Sequence, residues 1–114
     1  MKVGRIFYFD ASHHIPKYKG KCEQIHGHTY RLEVMAEDEV KKDGMVMDFT
    51  EIKDIINREV VDVLDHRNLN EVLDNPTAEN ITEWIWNALE KKLPLKSVKL
   101  WEGRDSWVEK TNGQ

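Results

Sequence analysis

The chain contains one cysteine, Cys22, so it cannot close an intrachain disulfide. A lone thiol is instead available for chemistry or packing, and the expected setting is the reducing cytoplasm. Long apolar runs are missing as well. None approaches the roughly 18–20 residues that a membrane-spanning helix needs. The opening MKVGRIFYFDASHH lacks a signal-peptide layout, because Asp10 and two histidines interrupt its apolar stretch. There is no basic excess: 17 Lys and Arg stand against 21 Asp and Glu, for a formal charge of −4. That balance argues against a general nucleic-acid partner. Repeats, low-complexity tracts and linkers are also absent.

What is present fits one domain over residues 1–114. Four Trp, three Tyr and three Phe supply bulky core material. Residues 2–12 are rich in Phe, Tyr, Ile and Val and read as a strand. Residues 26–37 alternate, with Tyr30, Leu32, Val34 and Ala36 on one face and Arg31, Glu33 and Glu37 on the other. Residues 38–44 read as a turn, and Met45 to Met47 as a short third strand. Ile52, Ile55, Ile56, Val60, Val63 and Leu64 follow helical spacing, with Thr50 or Asp48 as cap. A second helix is expected from Ala78 to Leu93, capped by Thr77 and stopped by Pro94. Alternation returns over 96–102, and Gly103 to Ser106 forms a hairpin into a last strand through Trp107 and Val108. Segregated strands and helices of this kind predict an α+β fold with helices on one face of an antiparallel sheet.

The strongest chemical signal is His13 together with CEQIHGH, residues 22–28. At the start of a strand, His26 and His28 leave from the same face, which is also the face of Tyr30 and Leu32. Gly27 between them permits close backbone approach. His13 shares the parity of Phe7, Phe9 and Ala11 in the first strand, whereas His14 faces the other way. A catalytic zinc (Zn2+) takes three protein ligands and keeps one position open. His13, His26 and His28 are the candidate ligands. The bland alternative is three metal-free, hydrogen-bonded strand histidines. Cys22 follows Lys17, Lys19 and Lys21, and cations favour its thiolate. Spacing leaves it open whether Cys22 is a reactive thiol or a fourth ligand that closes a structural site.

Other polar residues carry two readings each. Asp65 and His66, in LDHRNLN, either finish the first helix with ordinary turn and dipole contacts or form a proton-shuttling pair. Glu102 ends an apolar strand face, where it reaches water or grips an amidine-like N–H pair with two hydrogen bonds. Glu79, in the first turn of the second helix, is explained by the helix dipole.

FDASHH, CEQIHGHTY, GMVMDF, LDHRNLN, NPTAENITEWIW and Glu102, taken in order, resemble the 6-pyruvoyl-tetrahydropterin synthase superfamily. Three residues separate Cys22 from the HGH, as in its 6-carboxytetrahydropterin synthase branch. The resemblance implies the tunnelling fold, a four-stranded antiparallel sheet with two helices on one face. It implies three subunits joined in a barrel, two trimers stacked as a homohexamer, and active sites between subunits. The implied substrate is 7,8-dihydroneopterin triphosphate. The implied products are 6-carboxy-5,6,7,8-tetrahydropterin, acetaldehyde and triphosphate, on the way to deazaguanine (queuosine-type) tRNA bases. Position by position, the resemblance assigns His13, His26 and His28 to zinc. It assigns Cys22, Asp65 and His66 to catalysis, Glu102 to the pterin ring, and Thr77 and Glu79 to the pterin pocket. After Glu102 the chain reads GRDSW, where many relatives carry Thr or Ser and often Pro, so that pocket edge differs.

Overall fold

The computed structural model describes residues 1–16, 20 and 24–113. Two long strands, β1 (Lys2–His13) and β2 (His26–Glu37), pair antiparallel along their whole length. Alternation decides their faces. Phe7, Phe9, Ala11, Tyr30, Leu32, Val34 and Ala36 are buried, and their neighbours in sequence point to the other side. One close approach depends on glycine: a Cβ on Gly4 would stand 3.0 Å from the Val34 carbonyl oxygen.

The helical segment begins at α1 (Phe49–Ile56), capped by Asp48, whose side chain accepts from the Thr50 amide. Of the two candidate caps, Asp48 takes the role and Thr50 lies inside the helix. The helix runs through a π-helical turn (Asn57–Val61) into α2 (Asp62–Leu64). Next come β3 (Arg67–Asn68) and a 3-10 turn (Leu69–Glu71). α3 (Ala78–Leu89) starts on Thr77, whose hydroxyl accepts from the Asn80 amide. It ends in turns before Pro94 rather than reaching Leu93 as a helix. β4 (Leu95–Glu102) and β5 (Ser106–Thr111) close the sheet through a hairpin in which Gly103 takes φ 74°.

The sheet order is β3-β1-β2-β4-β5. It has five strands where the family resemblance implies four. The extra one is β3, two residues long and parallel to β1. The short strand expected at Met45 to Met47 does not form. Its carbonyl at Val46 is taken by Lys41 Nζ at 2.8 Å, and Val46 itself is buried as a plug. Ile52, Ile56, Val60, Leu64, Ile81, Ile85 and Leu89 join the inward strand residues in a single core cluster. The opposite sheet face carries no helix and leaves Ile6, Tyr8 and Trp107 exposed.

Candidate metal centre

Strand pairing alone builds the centre. His13 stands directly across from His26 in the β1–β2 register, and His28 lies two residues along β2 on the same face. The three imidazoles are mutually close, with ring centroids 4.6, 5.0 and 4.7 Å apart. His13 is 1% exposed, and the other two are partly buried at the rim.

The hydrogen bonds fix which nitrogen faces inward. His13 Nδ1–H donates to the Pro76 carbonyl at 2.8 Å, and His26 Nδ1–H donates to the Gln24 carbonyl at 2.7 Å. A carbonyl can only accept, so each Nδ1 carries a proton, and in the neutral ring each Nε2 then presents a bare lone pair. Those two Nε2 atoms are 3.0 Å apart. Two neutral imidazoles placed this way repel unless a cation lies between them. The spacing is near the roughly 3.3 Å edge of a tetrahedron with zinc–nitrogen bonds of about 2.0 Å.

His28 Nε2 is buried and makes no hydrogen bond. Glu102 Oε1 lies 3.1 Å from it, close enough for ionic attraction but off the line a hydrogen bond needs. Burial lowers the basicity of His28, the Glu102 charge opposes that, and His13 and His26 add to the lowering. The balance favours the neutral ring that a metal requires. Glu102 reaches the group because it pairs with Tyr30 across β2 and β4. One ligand atom from each of His13, His26, His28 and Glu102 lies within 4.8 Å of the others. This donor set of three imidazoles with a carboxylate nearby suits zinc. Tyr30 floors the group; burial, then the Glu102 charge, pushes its phenol well above the ordinary range, so it stays protonated.

Asp65 and His66 form a second group with Asp10. Asp65 Oδ2 is 3.0 Å from His66 Nδ1, so the acid does orient the neighbouring ring. Asp65 Oδ1 accepts from the Asp10 amide at 3.0 Å, and the His66 amide donates to the Asp10 carbonyl at 2.6 Å. The first of these bonds holds the Asp65 carboxyl below its usual range, with His66 contributing. His66 takes φ 59°, a left-handed conformation that strains a non-glycine residue. Its side chain is 79% exposed. A cleft of about 470 Å³ has both His28 and His66 in its lining.

The remaining predicted residues lie as follows. Thr77 caps α3, and Glu79 is exposed in the first turn of that helix. Cys22 lies outside the described residues. Gly27 does not serve a tight approach: a Cβ there would meet only the Ala11 carbonyl oxygen at 3.7 Å. Its open side lines the cleft instead. Four partners were not foreseen from sequence: the carbonyls of Pro76 and Gln24, the Asp10 backbone, and Asn70. The Asn70 side chain accepts from the His14 amide and donates to the His14 carbonyl, holding the end of β1. Carbonyl ligands leave no signature in residue type. Asn70 does stand in a distinctive motif, LDHRNLN, and that was the available signal.

The described geometry has close relatives. The family model for 6-pyruvoyl tetrahydropterin synthase matches residues 2–112. The dihydroneopterin monophosphate aldolase of Pyrococcus furiosus is 48% identical over 112 residues, covering 92% of this chain and 95% of that protein. A putative 6-carboxy-5,6,7,8-tetrahydropterin synthase of Archaeoglobus fulgidus is 44% identical, covering 96% and 94%. The 6-carboxy-5,6,7,8-tetrahydropterin synthase of Haemophilus influenzae is 32% identical, covering 95% and 96%. Among solved structures, 6-pyruvoyl tetrahydropterin synthase of Caenorhabditis elegans superposes with a TM-score of 0.88 at 27% identity, over 99% of this chain and 96% of that one. With a matching tunnelling fold and a family match across nearly its whole length, this chain belongs to the 6-pyruvoyl tetrahydropterin synthase family.

Proposed function

We propose that the chain is a zinc-dependent lyase acting on the side chain of a phosphorylated 7,8-dihydroneopterin, as a 6-carboxy-5,6,7,8-tetrahydropterin synthase. The observation that carries this reading is the pair of bare Nε2 atoms of His13 and His26, 3.0 Å apart, with His28 Nε2 unpaired beside them. Zinc held there supplies Lewis-acid polarisation of a substrate oxygen. The Cys22 thiolate takes a proton on one side of the substrate side chain. His66, oriented by Asp65, exchanges protons on the other side. Triphosphate leaves, water adds to the carbonyl that forms at C1′, and cleavage of the C1′–C2′ bond leaves the carboxylate on the ring and releases C2′ and C3′ as acetaldehyde. Glu102 grips the N–H edge of the pterin, with Thr77 and Glu79 bordering the pocket. The functional form is a cytoplasmic homohexamer with sites between subunits.

A second reading is favoured by the 48% identity to the Pyrococcus furiosus aldolase. In that reading the C–C bond next to the ring-bearing carbon opens in a monophosphate substrate, and the phosphate departs on a two-carbon aldehyde. Product analysis separates the two. Zinc-loaded protein is incubated with dihydroneopterin triphosphate and, separately, with the monophosphate. Acetaldehyde with 6-carboxytetrahydropterin supports the first reading, and phosphorylated glycolaldehyde the second. Recovery of both substrates unchanged sinks both. Cys22→Ala tests the thiol: turnover is lost while zinc is retained. Loss of zinc from that variant assigns Cys22 to the metal, which makes the centre a closed structural site.

A further inference from the structure

The backbone of Asp10 is used up by the Asp65–His66 pair, while half of its carboxylate is not used at all. Its amide donates to Asp65 Oδ1 and its carbonyl accepts from the His66 amide, so both backbone groups point away from β2. Asp10 and Thr29 therefore face each other across β1 and β2 without mutual backbone bonds, the arrangement that brings opposed side chains closest. The Thr29 hydroxyl donates to Asp10 Oδ1 at 2.5 Å, within the range of a charge-assisted bond. One carboxylate oxygen is thus fixed in place. The other, Oδ2, takes no hydrogen bond or ion pair among the described residues.

Asp10 and Thr29 line the same cleft of about 470 Å³ as His28 and His66. One ligand atom from each of Asp10, Asp65 and His66 lies within 4.8 Å of the others. No cation of the chain neutralises the Asp10 carboxylate: Arg67 lines the cleft too, but forms no ion pair among the described residues. Because the anchors of Asp10 belong to its own chain, it stays beside His66 whichever subunit supplies the three histidines. An ionised carboxylate only accepts, so whatever binds it must donate. A phosphate at neutral pH has acceptors and negative charge, and two carboxylates this close repel it.

In the function proposed above, the N–H edge of the pterin goes to Glu102. The donors that remain on the substrate are its side-chain hydroxyls. The carbonyl forms at C1′, so the hydroxyl next along the chain is the one at C2′. We propose that Asp10 is a specificity-determining residue, whose free carboxylate oxygen accepts a hydrogen bond from the C2′ hydroxyl of the substrate. The assignment rests on that function and serves both of its readings, since the C1′–C2′ bond breaks in each. No bond forms or breaks at Asp10 itself. Its role is to hold one configuration at C2′ beside His66.

The test compares phosphorylated 7,8-dihydroneopterin with its C2′ epimer on the zinc-loaded protein. Steady-state kinetics give the epimer ratio in kcat/KM for wild type, Asp10→Ala and Thr29→Val. Calorimetric titration with the two unphosphorylated epimers gives the corresponding ratio of affinities. General damage to the fold lowers both epimers together and leaves either ratio in place. Wild type is expected to favour the neopterin configuration by roughly tenfold or more, and Asp10→Ala to bring the ratio toward parity. Thr29→Val keeps the carboxylate but releases it from its partner, and should narrow the ratio in part. Should Asp10→Ala fail to fold, Thr29→Val decides in its place. A wild type that treats the epimers alike overturns the proposal, and so does a ratio that survives in the variants. Turnover with an Asp10-independent ratio removes the role of Asp10 and leaves the proposed function standing. An Asp10-dependent affinity ratio without turnover does the reverse. Neither turnover nor binding by wild type removes both.

Discussion

At the scale of single residues, the candidate metal ligands were legible because strand parity is a two-residue rule. His13, His26 and His28 share the parity of the core positions Phe9, Ala11 and Tyr30, and antiparallel pairing then sets them together. Glu102 was legible as a special carboxylate but not in its surroundings, because the β2–β4 register that sets it beside His28 is a tertiary fact. Its two roles separate in Glu102→Gln, which keeps the shape and removes the charge. The expected result is zinc content within error of wild type by elemental analysis and a KM for pterin raised by roughly tenfold or more. Loss of zinc from this variant would instead make Glu102 a ligand. Asp65 gives a pH-dependent prediction. Its native carboxyl is held below the ordinary 3.8, so the charged form favours the folded state. That stability is fully present above about pH 3.8 and disappears as pH falls through the lower native value. In thermal melts, wild type should therefore exceed Asp65→Asn near neutrality, and the gap should close in acid. A gap that persists at the lowest pH reached would show that the carboxylate charge is not its cause.

At the scale of elements, periodicity located β1, β2, both helical runs and the β4–β5 hairpin, since each buries a regular stripe. It missed β3, which has two residues and no pattern to read. It also misread Met45 to Met47, where local apolarity reflects one buried Val46 rather than a strand. The N-terminus of α3 joins fold to site. Thr77 caps the helix, and the carbonyl of the preceding Pro76 accepts the hydrogen bond from His13 Nδ1. Thr77→Ala should cost about 1 kcal/mol of stability, measured by denaturant unfolding of the metal-free protein. Because the cap helps to place the Pro76 carbonyl, zinc affinity should fall too, in the manner of a lost outer-shell partner, by about tenfold. An unchanged affinity would show that Pro76 is held without the cap.

At the scale of the whole molecule, the separation of the two candidate groups is the feature to explain. The three histidines converge on the helix-covered side of β1 and β2, while Asp65 and His66 are anchored to the Asp10 backbone and present a ring that is 79% exposed. An exposed general acid or base is poorly placed for chemistry that excludes water, unless another surface covers it. The helix-free face, with Ile6, Tyr8 and Trp107 exposed, leaves apolar area for contact between copies. If each site takes its histidines from one subunit and Asp65–His66 from the next, two dead variants complement each other. His28→Ala supplies an intact His66, and His66→Ala supplies an intact His28. Random co-assembly gives both intact halves at about a quarter of the sites, because two independent choices of one half must coincide. Co-expressed variants should therefore recover about a quarter of wild-type turnover, whereas separately purified and unmixed proteins stay inactive. No recovery in assemblies shown by mass spectrometry to contain both chains would mean that one chain builds the whole site, with the cleft between His28 and His66 as the place where its two halves meet.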